Sequence, residues 1–372
     1  MSSEIEIKTE RLVEMLKTEN LGGVLLNSQA NFAWLSGGKS SGINLSAESG
    51  ACFLFVRNDG KKFVLANNIE MPRILQEEIS AEDFEPVEVY WQEEKFNPDL
   101  IFEKTRSLSE NGKQIASDMV FHRGVKSVEN LISHCRYRLT EAEIERFRCL
   151  GKDAGIALGN LIKEINPGET EFEIARKTRN ELAKFNCDSV VTLIGADERI
   201  EKYRHPVPTA NLWKKNLLIV VCARREGLIA SLSRIVCVGE IPDELKRKTE
   251  AAGYVFAKLL SETKPGRSGA ELYKTASCAY AEKGFADEIN RHHQGGAAGY
   301  KTRDWVIHPR SAETVFPNQA FAFNPSIKGT KAEETALLIN DEIEIITATP
   351  DFPQIAIEIE GKEFLSPNIL SL

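Results

Sequence analysis

The sequence predicts a two-domain protein of mixed α/β (α+β) class whose second domain is built by internal duplication. Three observations carry this: strands and helices alternate early in the chain, a capped long helix opens the later portion, and that helix with its surroundings recurs once at a fixed offset. The chain has 372 residues, 42% hydrophobic and 27% charged, the proportions of an ordinary soluble globular protein and enough length for two domains. A formal charge of −8 without a basic block argues against nucleic acid or an anionic membrane as partner. No apolar run approaches the roughly 18–20 residues of a membrane span, and the first residues lack a basic segment followed by an apolar one, so a cytoplasmic location is expected. Seven scattered cysteines without a C-x-x-C pair read as reduced, mostly buried thiols, not a disulfide frame or a zinc site.

From Thr9, the apolar positions Leu12, Val13, Leu16 and Leu21 suit an amphipathic helix, and Val24-Leu25-Leu26 reads as a buried strand. Ala51 to Val56 and Lys62 to Leu65 flank Asn58-Asp59-Gly60, a hairpin signal because Asp and Gly tolerate positive φ. A helix over about Glu70 to Glu78 and strands near Val87-Tyr90 and Ile115-Ser117 complete the first domain, residues 1–135. Residues 140–372 form the second. Thr140-Glu141-Ala142-Glu143 is a capping box opening a helix to about Ile165. Asn166-Pro167-Gly168-Glu169-Thr170 then has its counterpart 98 residues on in Lys264-Pro265-Gly266-Arg267-Ser268, each followed by Glu at the third position. Strand-like runs follow both copies, Leu217 to Cys222 and Leu228 to Val238 in one, Gln319 to Phe323 and Thr335 to Thr347 in the other. Two similar halves place a shared cleft at their pseudo-axis.

The chain resembles the pita-bread superfamily of aminopeptidase P, prolidase, methionine aminopeptidase and creatinase. Asn31-Phe32-Ala33-Trp34-Leu35-Ser36-Gly37 is similar to a stretch of that family's N-terminal domain, and the duplicated region is similar to its pita-bread catalytic domain. The resemblance implies two divalent metals held by two Asp, one His and two Glu, with a bridging hydroxide as nucleophile. In Glu226-Gly227-Leu228-Ile229-Ala230-Ser231-Leu232-Ser233-Arg234 the matching Asp position is Ser231, and its partner eleven residues earlier is Val220. In His292-His293-Gln294-Gly295-Gly296-Ala297-Ala298-Gly299 the metal His position is Gly296. A Glu-Pro-Gly motif falls on Asn324-Pro325-Ser326, and only the last carboxylate remains, in Glu333-Glu334-Thr335. The match therefore implies neither a dinuclear centre nor any other cofactor, and no metal ligand is assigned.

What the resemblance retains is the set of non-metal positions. His205 matches a His ahead of the first strand, which creatinase is expected to use in proton transfer without metal; His292 matches a substrate-binding His, and Arg234 closes the first motif. A neutral imidazole can accept and return a proton at cellular pH. Arg204, Arg224, Arg225, Arg234, Lys328 and Lys331 crowd the motifs, which suggests an anionic group on the substrate. His292 and His293, as neighbours on an extended segment, are expected to point to opposite faces, so that at most one faces the cleft. Glu333 reads equally as a catalytic group and as a structural partner of Arg234. Ser231 has no Gly-x-Ser-x-Gly elbow, Gly295, Gly296 and Gly299 form no dinucleotide loop, and Cys222 reads as a packed thiol. Trp213 and Trp305 suit either pocket wall or core.

These residues give His205, His292 and Glu333 as candidate catalytic residues, and Arg204, Ser231, Arg234, His293 and Asn324 as candidate substrate-binding residues. The leading expectation is a metal-independent, creatinase-like hydrolase or lyase of a small carboxylate-bearing amide or amino-acid-like compound, or of a short peptide. The alternatives are a non-catalytic pseudo-peptidase that binds peptide or protein, and an Xaa-Pro aminopeptidase or dipeptidase with a displaced metal site. A homodimer is implied by the resemblance alone.

Overall fold

A computed structural model describes residues 3–109 and 112–372. The chain divides into two compact units between Arg136 and Tyr137.

The first unit opens with the helix Glu4–Thr18, capped reciprocally by Ser3 and Glu6 and burying Leu12 and Leu16. Its strands are β1 (Gly23–Ser28), β2 (Ser49–Arg57), β3 (Lys62–Asn67), β4 (Glu85–Val89), β5 (Ile115–Ser117) and β6 (Lys126–Ser127). They form one sheet in the order β4-β3-β2-β1-β5-β6. The hairpin from β2 to β3 pairs Phe55 with Phe63, whose rings stack at 6.1 Å, and Gly60 takes φ of 92° in the turn. Where one helix is expected over Glu70 to Glu78, a short helix Met71–Arg73 runs into a π-turn over Ile74–Glu78.

The second unit is built twice. The helix Glu141–Glu164 has the Thr140–Glu143 capping box, and the helix Glu171–Ala183 has a second, from Thr170 and Glu173. In the repeat, the helix Asp243–Glu262 is followed by Gly269–Glu282, capped by Ser268 and Glu271. The connecting loops make the same bonds. Gly168 N–H donates to the Trp213 carbonyl and Trp213 N–H to that of Glu169; Gly266 N–H donates to Val315 and Val315 N–H to Arg267. Such agreement bond by bond is the structural mark of duplication.

The first half's strands are β7 (Asp188–Ala196), β8 (Asn216–Arg225) and β9 (Leu228–Cys237). The second half carries β10 (Gly295–Ala298), β11 (Trp305–Val306), β12 (Gln319–Phe323), β13 (Ser326–Ile327), β14 (Thr330–Lys331), β15 (Glu334–Ile339) and β16 (Glu342–Ile345). A final segment adds β17 (Gln354–Ile359), β18 (Lys362–Pro367) and β19 (Ile369–Ser371). One sheet runs β19-β9-β8-β7 and another β11-β10-β12-β15-β16. Trp213 and Trp305 are both core residues, and Trp305 meets Phe321 edge-on at 5.9 Å. Gly155 lets the first long helix touch this layer, because a Cβ there would come within 2.3 Å of the Ala348 carbonyl oxygen.

The two sheets are joined between β9 and β15 by a side chain. Thr335 Oγ1 accepts from Ser231 N–H at 2.7 Å and donates to the Ser231 carbonyl at 2.9 Å; Ser233 N–H donates to the Glu333 carbonyl. Beneath lies a buried ion pair, Arg234 with Glu334 at 2.8 Å. Burial raises the Glu334 carboxyl to about 7 against the pull of Arg234. The clasp gives a prediction. Thr335→Val keeps the shape but strands a buried N–H and C=O, so urea unfolding should show a loss of about 2–4 kcal/mol; a loss below about 0.5 kcal/mol would show that the joint does not depend on the hydroxyl.

Candidate functional site

Strand alternation decides which side chains share the cleft. Cys222 lies directly opposite Ser231, and Val220 opposite Ser233, so these four share one face of the β8–β9 hairpin while Arg234 takes the other. Ser231 is fully buried and its hydroxyl donates to Cys222 Sγ at 3.3 Å. Burial raises the Cys222 thiol, and Glu333 adds to the effect, so it remains a packed, protonated thiol.

Two cations and one carboxylate meet above this floor. Arg303 Nη1 donates to Ser231 Oγ at 3.3 Å and Nη2 lies 3.4 Å from Glu333 Oε1. Lys331 Nζ, itself buried, lies 3.7 Å from Glu333 Oε2. Three polar atoms, Arg303 Nε, Asn324 Oδ1 and Ser233 Oγ, are buried without a hydrogen-bond partner among the described residues.

Three imidazoles gather beside these charges. His205 Nε2 and His292 Nε2 stand 3.2 Å apart, sharing one hydrogen, and the His292 and His293 ring centroids lie 4.6 Å apart. Both neighbours join the cluster, contrary to the expectation that at most one would. The reason is local: Arg291 and His292 form a turn and a bend after the 3-10 turn Ala286–Asn290, and His293 and Gln294 are irregular, so strand alternation begins only at Gly295. Partial burial, then the Lys331 ammonium, hold the His205 ring below its ordinary value, Glu333 opposing. Burial also pushes His292 well down, with Lys331 next. His293 is held down to about 4 by burial and then Arg303. All three rings are therefore neutral at pH 7.

A polar chain orients His292. Arg204 is ion-paired with Glu288 and donates to Ser326 Oγ at 3.3 Å, and that oxygen lies 3.1 Å from His292 Nδ1. Arg204, expected to bind substrate, is thus committed to this support.

Arg234 requires a larger correction. Its side chain is buried on the opposite face, bonded to Thr349 Oγ1, the Ser233 and Thr347 carbonyls and Glu334, so four of its five N–H groups are spent away from the site. It also leaves Glu333 to Arg303 and Lys331. Asn324 ends β12 beside Gln294, whose carbonyl accepts from its N–H. Of the other basic residues near the motifs, Arg224 pairs with Asp188, Arg225 with Asp153 and Lys328 with Glu201; Lys331 is the member that meets Glu333. Arg303 escaped the sequence reading, although it stands between β10 and β11 only ten residues after His293 and is as basic as its flagged neighbours.

The imidazole shifts set a pH dependence. Unfolded histidines titrate near 6.5, and the folded ones titrate lower, so in that window the unfolded chain binds more protons. Stability is complete above about 6.5 and is lost as pH falls from there towards about 4. In chelator-treated protein the melting temperature should drop more steeply between about pH 7 and 5 than in His292→Asn; parallel profiles would remove the cluster as the cause.

The fold and this cleft define a two-domain pita-bread protein, with an N-terminal creatinase/prolidase-type domain ahead of a duplicated α+β domain. The chain belongs to metallopeptidase family M24, whose pattern matches residues 145–348; the creatinase/prolidase N-terminal domain matches residues 8–150. An Xaa-Pro dipeptidase of Pyrococcus furiosus is 23% identical over 357 residues, covering 92% of this chain and 98% of that protein. Among solved structures, a prolidase from Thermococcus sibiricus aligns with TM-score 0.80 at 15% identity over the full length of both chains. An Xaa-Pro dipeptidase from Bacillus anthracis aligns with TM-score 0.77 at 16% identity over 98% of this chain and 99% of that one. Those two likenesses establish the fold. Among the described residues no helix is long and apolar enough to cross a membrane.

The family name implies divalent metal, and the residues present can be tested against it. At the positions the resemblance gives to ligands stand buried Val220, Ser231, Gly296 and Asn324, with Glu333. A Cβ on Gly296 would lie 2.1 Å from the Trp305 carbonyl oxygen. One carboxylate facing two cations is not a donor set for two divalent ions.

Proposed function

We propose that this chain is a hydrolase of small amides that carry a free carboxylate, of dipeptide or acyl-amino-acid size, and that it works without a carboxylate-held metal pair. The observation that carries the reading is the half-buried Arg303 and the buried Lys331 around the carboxylate of Glu333. This leaves one surplus positive charge on the cleft floor, beside buried polar atoms that lack partners among the described residues. Two unit charges 4 Å apart interact by about 4 kcal/mol at an effective dielectric of 20, so these cations oppose a divalent ion held on Glu333 and favour an anion there. The prolidase-like relatives support a substrate with an amide bond close to a carboxylate.

In this reading the substrate carboxylate pairs with Arg303 and Lys331, which fixes the amide beside the imidazoles. With its Nε2–H donating to His292 Nε2, His205 keeps its lone pair on Nδ1, which takes a proton from water as the water oxygen attacks the carbonyl carbon. The resulting imidazolium returns that proton to the leaving nitrogen as the C–N bond breaks, so one water is consumed and an acid and an amine leave. His292 orients His205 through the shared hydrogen, and Glu333 steadies the charge that develops.

The test is an assay of chelator-treated protein on X-Pro dipeptides, N-acyl amino acids and their C-terminally amidated forms. The free acids should turn over and the amidated forms should not. His205→Ala should lower kcat about 100- to 10,000-fold with the melting curve intact, while Arg303→Gln should act chiefly on KM. Activity that appears only on adding Mn2+ or Co2+ would defeat the metal-free reading, and unchanged turnover in His205→Ala would remove it from the chemistry.

A further inference from the structure

His205, His292 and His293 present one ligand nitrogen each within 4.8 Å of one another, outside the positions at which the resemblance places metal. Two imidazole nitrogens on one tetrahedral ion stand about 3.3 Å apart when each metal–nitrogen bond is about 2.0–2.1 Å. The His205 and His292 Nε2 atoms already stand 3.2 Å apart. Two such nitrogens facing each other need either a shared proton or a shared cation between them. The third ring is exposed, so rotation about its own side-chain bonds is the one adjustment the site asks of it.

The surroundings have the features of a built site. Ser326 Oγ lies 3.1 Å from His292 Nδ1 and is held in turn by Arg204 and Glu288. With Nδ1–H donating to this hydroxyl, the lone pair of His292 is left on Nε2, the atom that faces His205. A hydrogen bond behind a ligating imidazole is the usual device that fixes its tautomer and direction. Ser326 is anchored by its own backbone, its N–H donating to Tyr280 Oη at 2.8 Å.

From this geometry we infer that the three imidazoles form a mononuclear site for a borderline transition ion, Zn2+, Co2+ or Ni2+, with a fourth position open to solvent. Three neutral nitrogens and no ligating carboxylate select against Mg2+, Ca2+ and Mn2+, which prefer oxygen. An ion here binds His205 Nε2 in place of its hydrogen and leaves that ring's one proton on Nδ1, so the ring keeps no free lone pair. The ion therefore inhibits the hydrolysis proposed above, a consequence that rests on that reading, whereas the site itself does not.

The experiment titrates chelator-treated full-length protein, without substrate, with ZnCl2, CoCl2 and MgCl2 by calorimetry, and records visible absorption during the Co2+ titration. One Zn2+ or Co2+ per chain is expected, with the intense visible bands of tetrahedral Co2+ and no competition from Mg2+. His205→Asn and His293→Asn should each abolish those bands, and Ser326→Ala should weaken binding about 10- to 100-fold, with melting curves recorded to confirm folding. Absence of stoichiometric binding to the unaltered protein, or binding unchanged in both histidine variants, overturns the site. Turnover of chelated protein that one equivalent of Zn2+ suppresses supports the inhibitory consequence. Turnover that Zn2+ occupancy leaves intact overturns that consequence and leaves the site standing, while failure of turnover under all conditions bears on the hydrolase reading alone.

Discussion

Everything in the site depends on how the two half-sheets are stitched together between β9 and β15. A backbone ladder alone would leave their register open, but the hydroxyl of Thr335 bonds both the N–H and the C=O of Ser231, which fixes one register. That register puts Glu333 opposite the β9 serines, and it sends Arg234 and Glu334 to the reverse face as a dry ion pair. A slip by one residue would exchange the two carboxylates between the wet and dry sides. The chemistry of the upper face is thereby set by a bond with no chemical role of its own.

The upper face carries an electrostatic load that packing alone would not favour. Placing the half-buried Arg303 and the buried Lys331 around one carboxylate leaves charge incompletely compensated, and buried charges are tolerated chiefly when partnered. Burial first, and this field second, keeps the neighbouring imidazoles neutral. The cations on the floor and the free lone pairs on the rings are thus linked, because the same positive charges add to what burial already does.

Much of the architecture was legible because its signals are local. The Asp59-Gly60 turn and the capping boxes at Thr140, Thr170 and Ser268 each need only four or so residues to specify a bend or a helix start. The duplication was legible for the same reason, since equal loops were written twice. The cleft was read less well because its geometry depends on parity and on distant turns. Ser231 and Arg234, three residues apart on one strand, necessarily face opposite sides, so Arg234 could have been set aside by counting. The gathering of His292 with His293 depends on the turn that precedes them, and Arg303 enters through tertiary placement that no local pattern announces.

Gly296 bears on what this strand pair tolerates. Its α-carbon runs so close to β11 that even a methyl group would strike the Trp305 carbonyl. Any substitution there, whatever its merit as a ligand, must first push β10 away from β11, a strand whose Trp305 is packed on the aromatic layer behind it. Each single step away from glycine meets this steric cost before any ligand chemistry could count in its favour, so position 296 is held by its neighbour across the ladder and not by the site it borders.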